Sequence, residues 1–488
     1  MHRGGTVVTA VLIAAGWLCA LALVFVGDGV TPVALQRSQA TVTIEGAFPA
    51  STRPALSDDF RVPVNVPGSY PMSLTAAVGG RQVKASWVYV DGMPALNSHL
   101  DSWLLGILDG AAPAGGRYRP GMALNAAPAP GPALTMSVEP VLTAGSVIVV
   151  REKVIDAAAD GRRSVSSTTI YADTVSGELR RGAELLQPET LEDIRSRVTG
   201  VPAGIAGPSS QKPALTDVVL DSSGELHVKT EDASGPGQSR QEITTIAARE
   251  ADAMISELGR KVLERLRAAP VSPPPAAPPA QRHVNCDLVP CAALSYDDGP
   301  DAKTTPQLLA ILKAKNAQAT FFMTGSNATA NPATARQVAD AGHTIGNHTF
   351  SHPYLTKLTP AAVRSELDRT DTAIRAATGS VPSLMRPPYG AADAAVQTAV
   401  GKPLILWAVD SLDWQSKNPG VFVPKILKEI NPGAVVLMHD VDPTTIAGQQ
   451  ELITTLQAQG YHLVTVPQLF EGTPLVPGHV YRARPERK

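Results

Sequence analysis

Short apolar runs alternate with longer amphipathic segments between Cys286 and Phe470. Short apolar runs bounded by turn residues are typical of buried strands, whereas apolar positions repeated every three or four residues are typical of helices. The predicted strands are Ala292–Tyr296, Ala319–Met323, His343–Gly346, Leu384–Arg386, Leu404–Val409, Val435–His439 and His462–Val466. The helices predicted to separate most of them are Thr305–Ala314, Ala333–Ala341, Pro360–Thr378, Gly420–Ile430 and Gln449–Gln459. Repeated βα units predict a parallel sheet, and this many units predict a closed or nearly closed α/β barrel.

A different pattern precedes the βα units, from residue 40 to residue 268. Ala85–Val90 and Gly145–Arg151 are rich in the β-branched and aromatic residues that are typical of strands. The leucine and isoleucine spacing of Leu96–Leu108 predicts a short helix, and apolar residues that recur every three or four positions predict a longer one over Gln241–Arg267. We therefore predict an α+β domain over residues 40–268.

Residues 1–39 carry the most apolar stretch of the chain. Thr6–Val26 contains no charged residue and follows Arg3. A span of about 20 apolar residues matches the hydrocarbon thickness of a bilayer, whereas cleavable signal peptides usually have an apolar core of about 7–15 residues. We therefore expect an uncleaved, single-pass membrane anchor with the rest of the chain outside the cytoplasm. Secretion after signal cleavage is the alternative.

Two further segments complete the predicted organisation. Residues 269–283 are rich in proline and alanine. Such a segment favours extended polyproline II backbone and predicts a semi-rigid linker between the α+β domain and the βα region at residues 284–471. Residues 472–488 are polar and contain prolines, which predicts a flexible tail.

Composition argues against nucleic acid as a partner. The formal net charge is −2 and 18% of residues are charged, so the chain lacks the basic character of a nucleic-acid binder.

Cys286 and Cys291 form a close pair just before the first βα strand. In an exported protein this pair predicts a disulfide; two separate buried thiols are the alternative.

Reactive side chains follow the predicted strands of the βα region in five segments. These segments are Ser295–Pro300 (SYDDGP), His348–Pro353 (HTFSHP), Arg386–Gly390 (RPPYG), Asp410–Trp414 (DSLDW) and Leu437–Asp440 (LMHD). Taken alone, each is explained as a turn, a cap or a surface loop. Because the carboxyl ends of parallel strands meet on one face, we expect the five to converge. One carboxylate and two imidazoles suit zinc or a similar divalent ion, and a second carboxylate and a separate histidine suit a base and an acid, so we predict a hydrolytic site.

In this order the five segments resemble the motifs of the NodB-type polysaccharide deacetylases, carbohydrate esterase family 4. The resemblance extends from Cys286 to Phe470, and the chain has SYDDGP where the family most often has TFDDGP. It implies a distorted (β/α) barrel that removes N-acetyl groups from a polysaccharide. Over a shorter stretch, Thr169–Leu186 resembles the extracellular domain of the anti-sigma factor RsiV and reads as a strand, a turn and a strand.

The resemblance implies a role for residues in each motif. Asp298, His348 and His352 would bind the metal, expected to be zinc with Co, Ni or Mn as alternatives. Asp297 would be the general base, held in its charged form by Arg386.

The remaining roles concern the acid and the substrate pocket. Tyr389 would offer its backbone N–H to the oxyanion and contact the substrate. Asp413 would tune His439, which would protonate the leaving amine. Trp414 and Leu437 would shape the pocket around the acetyl methyl group.

An exported enzyme at the cell envelope makes peptidoglycan amino sugars the expected substrate. Two alternatives remain. One is O-deacetylation of an acetylated polysaccharide such as xylan. The other is a catalytically silent glycan-binding protein, which would be expected to have lost one of the catalytic pairs. Residues 40–268 either bind cell-wall glycan or a protein, or act as a spacer; the oligomeric state is left open.

Overall fold

The computed structural model describes residues 64, 66–124, 126, 131–190, 194, 214–232, 240–270 and 282–487. The predicted membrane anchor within residues 1–39 and most of the predicted linker, residues 271–281, lie outside these ranges. Among the helices of the described residues, none is long and apolar enough to cross a membrane.

The first described region is a six-stranded sheet with one long helix. Its strands, in spatial and chain order, are β1 (Ser69–Val78), β2 (Arg81–Val90), β3 (Ala133–Ala144), β4 (Val147–Ala157), β5 (Arg163–Asp173) and β6 (Leu179–Arg181). Only the β2–β3 pair is parallel. Helix α1 (Pro94–Ala111) confirms the helix predicted over Leu96–Leu108 and buries leucines at a four-residue spacing: Leu96, Leu100, Leu104 and Leu108. The predicted strand, turn and strand of Thr169–Leu186 are present in the β5–β6 pair.

A second, three-stranded sheet corrects one helix prediction. Strands β7 (Ala214–Leu220), β8 (Leu226–Asp232) and β9 (Arg240–Ile246) pair antiparallel, and helices α2 (Ala248–Ala251) and α3 (Glu257–Arg267) follow. The helix predicted over Gln241–Arg267 is therefore wrong in its first part. Its isoleucine and threonine residues are β-branched and favour the strand that pairs with β8. Ser256 then starts α3 by accepting a hydrogen bond from the N–H of Gly259 at 3.1 Å.

The βα region forms the predicted parallel barrel around strand β10 (Cys291–Asp297). The other strands are β11 (Ala319–Met323), β12 (Thr344–Asn347), β13 (Leu404–Ile405), β14 (Val409–Asp410), β15 (Val435–His439), β16 (His462–Leu463) and β17 (Val480–Tyr481). Strand β10 pairs in parallel with β11 and β15, β11 with β12, and β14 with β15, while β16 pairs with the start of β10.

The barrel is distorted where two predicted strands are incomplete. The strand predicted over Leu384–Arg386 is reduced to bridges from Met385 to Asn347 and to Leu404, which join β12 to β13. The strand predicted over Leu404–Val409 is split into β13 and β14, since Leu406 N–H bonds Tyr481 and Ala408 N–H bonds Val435. Strand β14 nevertheless pairs with β15 and β15 with β10, so the strands on both sides of the split belong to one distorted barrel.

Helices cover the outside of the barrel. They are α4 (Thr304–Ala314), α5 (Gly325–Ala330), α6 (Pro332–Asp340), α7 (Pro360–Thr378), α8 (Ala394–Val400), α9 (Asp413–Ser416), α10 (Pro419–Glu429), α11 (Pro443–Ala458) and α12 (Val466–Leu469). The bounds of α7 agree with the prediction because capping residues next to each end specify where the helix begins and stops. Thr359 caps its first turn and Gly379, at φ 84°, ends it in the left-handed region.

The prediction of a flexible tail over residues 472–488 is wrong for the described residues up to 487. Strand β17 pairs in parallel with β13. Arg484 binds Asp287 at 2.9 Å and Arg487 binds Asp109 of α1 at 2.7 Å. The polar composition that suggested mobility instead supplies arginines to these carboxylates, and the open edge of β13 supplies the backbone partner.

The six-stranded sheet region and the barrel share one apolar core, which contains Leu104 and Leu108 of α1 together with Leu288, Val289 and Phe470. The hydroxyl of Tyr118 also donates to the carbonyl of Leu288 at 2.7 Å. Leu288 and Val289 directly precede β10, so the shared core lies near the amino end of that strand. The carboxyl ends are left for the site.

Candidate active site

The three predicted metal ligands meet at the carboxyl ends of β10 and β12. The Oδ1 atom of Asp298 lies 3.6 Å from Nε2 of His348 and 3.5 Å from Nε2 of His352. Asp298 and His352 have positive φ values of 74° and 58°, which turn both side chains out of the regular strand direction. One carboxylate and two imidazoles whose ligand atoms all lie within 4.8 Å of one another fit a divalent ion.

His348 is oriented toward Asp298 by a hydrogen bond to the protein backbone. Its Nδ1 lies 2.8 Å from the carbonyl oxygen of Arg386, so Nδ1–H donates there and Nε2 is left facing Asp298. Burial lowers the pKa of His348 to about 3. The imidazole is therefore neutral near pH 7, as a metal ligand must be.

Helix α7 holds the loop that carries both histidines, through residues that the sequence analysis did not single out. The carboxylate of Glu366 accepts hydrogen bonds from the N–H groups of Phe350 and Ser351 at 2.9 and 2.8 Å. The amide of Asn347 donates to Asp371 at 2.8 Å and accepts from the N–H of Thr349. Glu366 lies on α7, 15 residues after Ser351 in the chain. In the sequence it is recognisable only as a polar residue of a predicted helix.

Asp297 forms a buried ion pair with Arg386 inside the barrel. Nη1 of Arg386 donates to Oδ1 of Asp297 at 2.7 Å, and the guanidinium is fully buried. The other carboxylate oxygen, Oδ2, lies 3.7 Å from Nε2 of His348 and so faces the predicted metal ligands. Burial raises the pKa of Asp297, and the charge of Arg386 opposes this rise. The arrangement leaves one oxygen of Asp297 available to accept a proton.

Arg386 is fixed by several further partners, and one of them is the serine at which the chain departs from the family motif. Its Nε donates to the carbonyl of Ile405 at 2.8 Å, and its plane lies over the ring of Phe322. Its Nη2 donates to Oγ of Ser295 at 2.8 Å, and Ser295 in turn donates to the carbonyl of Val436. A serine in place of the family's threonine keeps the hydroxyl that this network requires.

The tyrosine of SYDDGP also has its own partner. Tyr296 is buried, and its hydroxyl donates to the side-chain oxygen of Gln449 on α11 at 2.6 Å. A buried phenol without a partner would be destabilising, and Gln449 supplies that partner for the hydroxyl that a phenylalanine would lack.

The buried Asp413 and the partly buried His439 form a second pair. Nδ1 of His439 lies 2.9 Å from Oδ1 of Asp413, and the N–H of His439 donates to Oδ2 at 2.8 Å. The hydroxyls of Ser411 and Thr445 also donate to this carboxylate. Burial alone would lower the pKa of His439, but the hydrogen bond and charge of Asp413 outweigh it and raise the pKa to about 9. His439 therefore carries a proton near pH 7.

Asp440 belongs to the site although the sequence analysis gave it no role. It is fully buried, and Thr305 donates a hydrogen bond to its Oδ2. A Cβ atom added at Gly299 would lie 2.3 Å from Oδ1, so the carboxyl group packs directly on the backbone of the Asp297–Asp298 turn. Burial raises the pKa of Asp440 to about 7. Its place in LMHD, next to His439, was the available signal.

The predicted substrate residues differ in exposure. Tyr389 has the positive φ of 60° and is 53% exposed, and Trp414 on α9 is also 53% exposed. Leu437 is buried at 4% on β15. Cys286 and Cys291 are joined by a disulfide with a Cα–Cα distance of 5.4 Å, just where β10 begins.

The comparisons with known proteins match the barrel region of the chain. The family model described as polysaccharide deacetylase matches residues 285–402. The peptidoglycan-N-acetylglucosamine deacetylase PgdA of Listeria monocytogenes is 41% identical over 178 residues, which cover 36% of this chain and 38% of that protein. The chain thus spans less than two fifths of the length of this relative.

Two further relatives are matched over more of their length. A solved structure described as T48 deacetylase with substrate is 42% identical, with a TM-score of 0.40, and the match covers 41% of this chain and 99% of that one. The peptidoglycan-N-acetylglucosamine deacetylase of Bacillus cereus is 34% identical over 37% of this chain and 68% of its own length. At the identity and coverage of the Bacillus cereus relative, the chain belongs to the polysaccharide deacetylase family.

Proposed function

We propose that this protein hydrolyses N-acetyl groups of peptidoglycan amino sugars in a metal-dependent reaction. The observation that carries the proposal is the convergence of the Asp298, His348 and His352 cluster with two separate hydrogen-bonded pairs, Asp297–Arg386 and Asp413–His439. The names of the Listeria and Bacillus relatives, both peptidoglycan deacetylases, support the choice of substrate.

Asp298, His348 and His352 are the residues that would hold the ion, which we propose to be zinc, with Co, Ni and Mn as the ions to compare. When bound, a divalent ion would act as a Lewis acid that polarises the amide carbonyl and makes water a stronger nucleophile. The chain's own residues supply the proton transfers and the orientation.

Asp297 is proposed to act as the general base. Water attacks the carbonyl carbon of the acetamide, and its proton passes to Oδ2 of Asp297, which faces the cluster. Arg386 holds Oδ1 of the same carboxylate and prevents the side chain from rotating. The backbone N–H of Tyr389 is proposed to stabilise the oxyanion that forms on the carbonyl oxygen.

His439 is proposed to act as the general acid. Its Nδ1 is bound to Asp413, so Nε2–H is the group that can protonate the leaving nitrogen. As the C–N bond breaks, this proton moves to the nitrogen, and the products are acetate and the free amine. Leu437 precedes this histidine by two residues on β15, and with Trp414 it is proposed to enclose the acetyl methyl group.

We further propose that the protein is exported and anchored by Thr6–Val26. The uncharged run after Arg3 supports the anchor, and the Cys286–Cys291 disulfide is typical of an oxidising compartment. Sequencing the mature amino terminus from membranes tests this. A mature protein that starts beyond Ala22 would show secretion after cleavage instead.

Acetate release by the full chain tests the activity directly. Purified peptidoglycan, chitin oligomers and acetylated xylan should be compared, each with zinc, cobalt, nickel and manganese. Preferential release from peptidoglycan supports the proposal, whereas preferential release from xylan would indicate an O-deacetylase. Glycan binding without acetate release under every metal would indicate a silent binding protein, which the intact pairs argue against.

A further inference from the structure

We propose that the phenol of Tyr389 positions the metal ligand His352, and that Tyr354 holds this phenol in place. The inference rests on the proposed metal site but concerns a different part of Tyr389. The proposed reaction uses only its backbone N–H, and the role of its side-chain hydroxyl is unassigned.

The two histidine ligands are oriented by different kinds of group. His348 is almost fully buried, and its Nδ1 faces a backbone carbonyl that cannot move independently of β12 and Arg386. His352 is 29% exposed in its side chain, and its Nδ1 lies 3.2 Å from the hydroxyl oxygen of Tyr389. When Nδ1–H donates to this oxygen, Nε2 keeps its lone pair and faces Asp298 at 3.5 Å.

The hydroxyl of Tyr389 also reaches the backbone of the same residue. It donates to the carbonyl oxygen of His352 at 3.5 Å, at the limit of a hydrogen bond, and the two rings meet edge to face with centroids 4.7 Å apart. The phenol therefore contacts His352 at the ring nitrogen, the ring and the carbonyl, which fixes the direction of the imidazole.

An exposed tyrosine needs support to act in this way. Tyr389 lies at a φ of 60°, a region that costs a non-glycine residue free energy and persists only where surrounding contacts favour it. The ring of Tyr354 stacks on it, with centroids 3.8 Å apart and planes only 12° from parallel. Tyr354 is itself fixed by the next residue, Leu355, which is fully buried beside Met385 and Leu404.

The contacts join two loops from different strands. His352 belongs to the loop after β12, whereas Tyr389 belongs to the loop after Met385. Tyr389 supplies both the phenol that contacts His352 and the backbone N–H that is proposed to bind the oxyanion. The positions of the metal ligand and of the oxyanion donor are therefore fixed relative to each other. Tyr354 is thus a positioning residue, since it acts through Tyr389.

The test measures zinc affinity of the full chain by chelator competition in the absence of substrate. Tyr389→Phe removes the hydroxyl but keeps the ring and the backbone N–H, and it should weaken zinc binding about tenfold or more. Tyr354→Ala should also weaken binding, and Tyr354→Phe, which keeps the stack, should restore it to the wild-type value. Tyr481→Phe is the matched control, because that hydroxyl bonds Val476 and Pro474 instead.

Equal zinc affinity in Tyr389→Phe and the wild type would overturn the proposal, provided that His352→Ala loses zinc. A loss of affinity accompanied by an equal fall in the unfolding midpoint of the metal-free protein would indicate a general structural role and would also overturn it. Because no substrate is present, failure of the deacetylase proposal on every glycan would leave this result unaffected.

Discussion

Asp297 and His439 occupy paired positions at the carboxyl ends of two neighbouring parallel strands, β10 and β15. Each is held from behind by its own buried partner, Arg386 for the aspartate and Asp413 for the histidine. The charge of each also contributes to the pKa of the other. One strand register therefore sets the separation between the proposed proton acceptor and the proposed proton donor.

Replacing the proposed base should separate metal binding from catalysis. Asp297→Asn removes the proton acceptor while the three predicted ligands remain, so we expect metal content near that of the wild type. Acetate release should fall by about 100-fold to 10,000-fold, the usual contribution of general acid–base catalysis. Metal analysis and acetate release on the same preparation test this, and full activity in the variant would contradict the mechanism.

Replacing a proposed metal ligand should instead lower the metal content of the protein. His348→Ala removes the buried imidazole that faces Asp298, so the purified protein should contain less metal per chain. Elemental analysis after dialysis measures this. A variant of a histidine outside the cluster, His479→Ala, serves as the control and should keep the wild-type content. Unchanged metal content in His348→Ala would show that the ligand assignment is wrong.

The pH profile should report the proton on His439. The proposed acid is active in its protonated form, which is present below its pKa of about 9 and lost as the pH rises through that value. Deacetylation should therefore fall above about pH 9. In Asp413→Asn the largest raising influence on the pKa of His439 is removed while the lowering influence of burial remains, so the fall should begin at a lower pH. Measured kcat/KM profiles decide this; an unshifted alkaline limit would exclude His439 as its source.

The shared core predicts that the barrel depends on the preceding sheet region. Leu104 lies on α1, is 1% exposed and packs in the same core as Leu288 and Phe470. Leu104→Ala should lower the free energy of unfolding by about 2–5 kcal/mol. Val175→Ala, at a position that is 69% exposed, is the control and should have little effect. Hydrogen exchange of the β10 amides should rise only in Leu104→Ala; if they remain protected, the barrel is stable independently of α1.

The local sequence predicted most of the barrel because strands such as Ala319–Met323 and helices such as Pro360–Thr378 carry their own pattern and caps. The prediction failed where the conformation of a segment depends on the distant segment with which it pairs. Residues 241–246 have apolar spacing that fits a helix, but pairing with β8 makes them a strand. The tail at 472–487 is polar, yet the free edge of β13 and the carboxylates of Asp109 and Asp287 hold it.

The sequence by itself determined the proposed chemistry of the site, since the five motifs supply the proposed ligands, the proposed base and the proposed acid at predicted strand ends. Only the tertiary structure decided which side chains orient them: Ser295 beneath Arg386, Glu366 on the histidine loop, Asp440 on Gly299, and Tyr354 against Tyr389. These contacts join residues from different βα units. A hydrogen bond or a ring stack between distant segments depends on how the chain closes in space, which periodicity along the sequence does not encode.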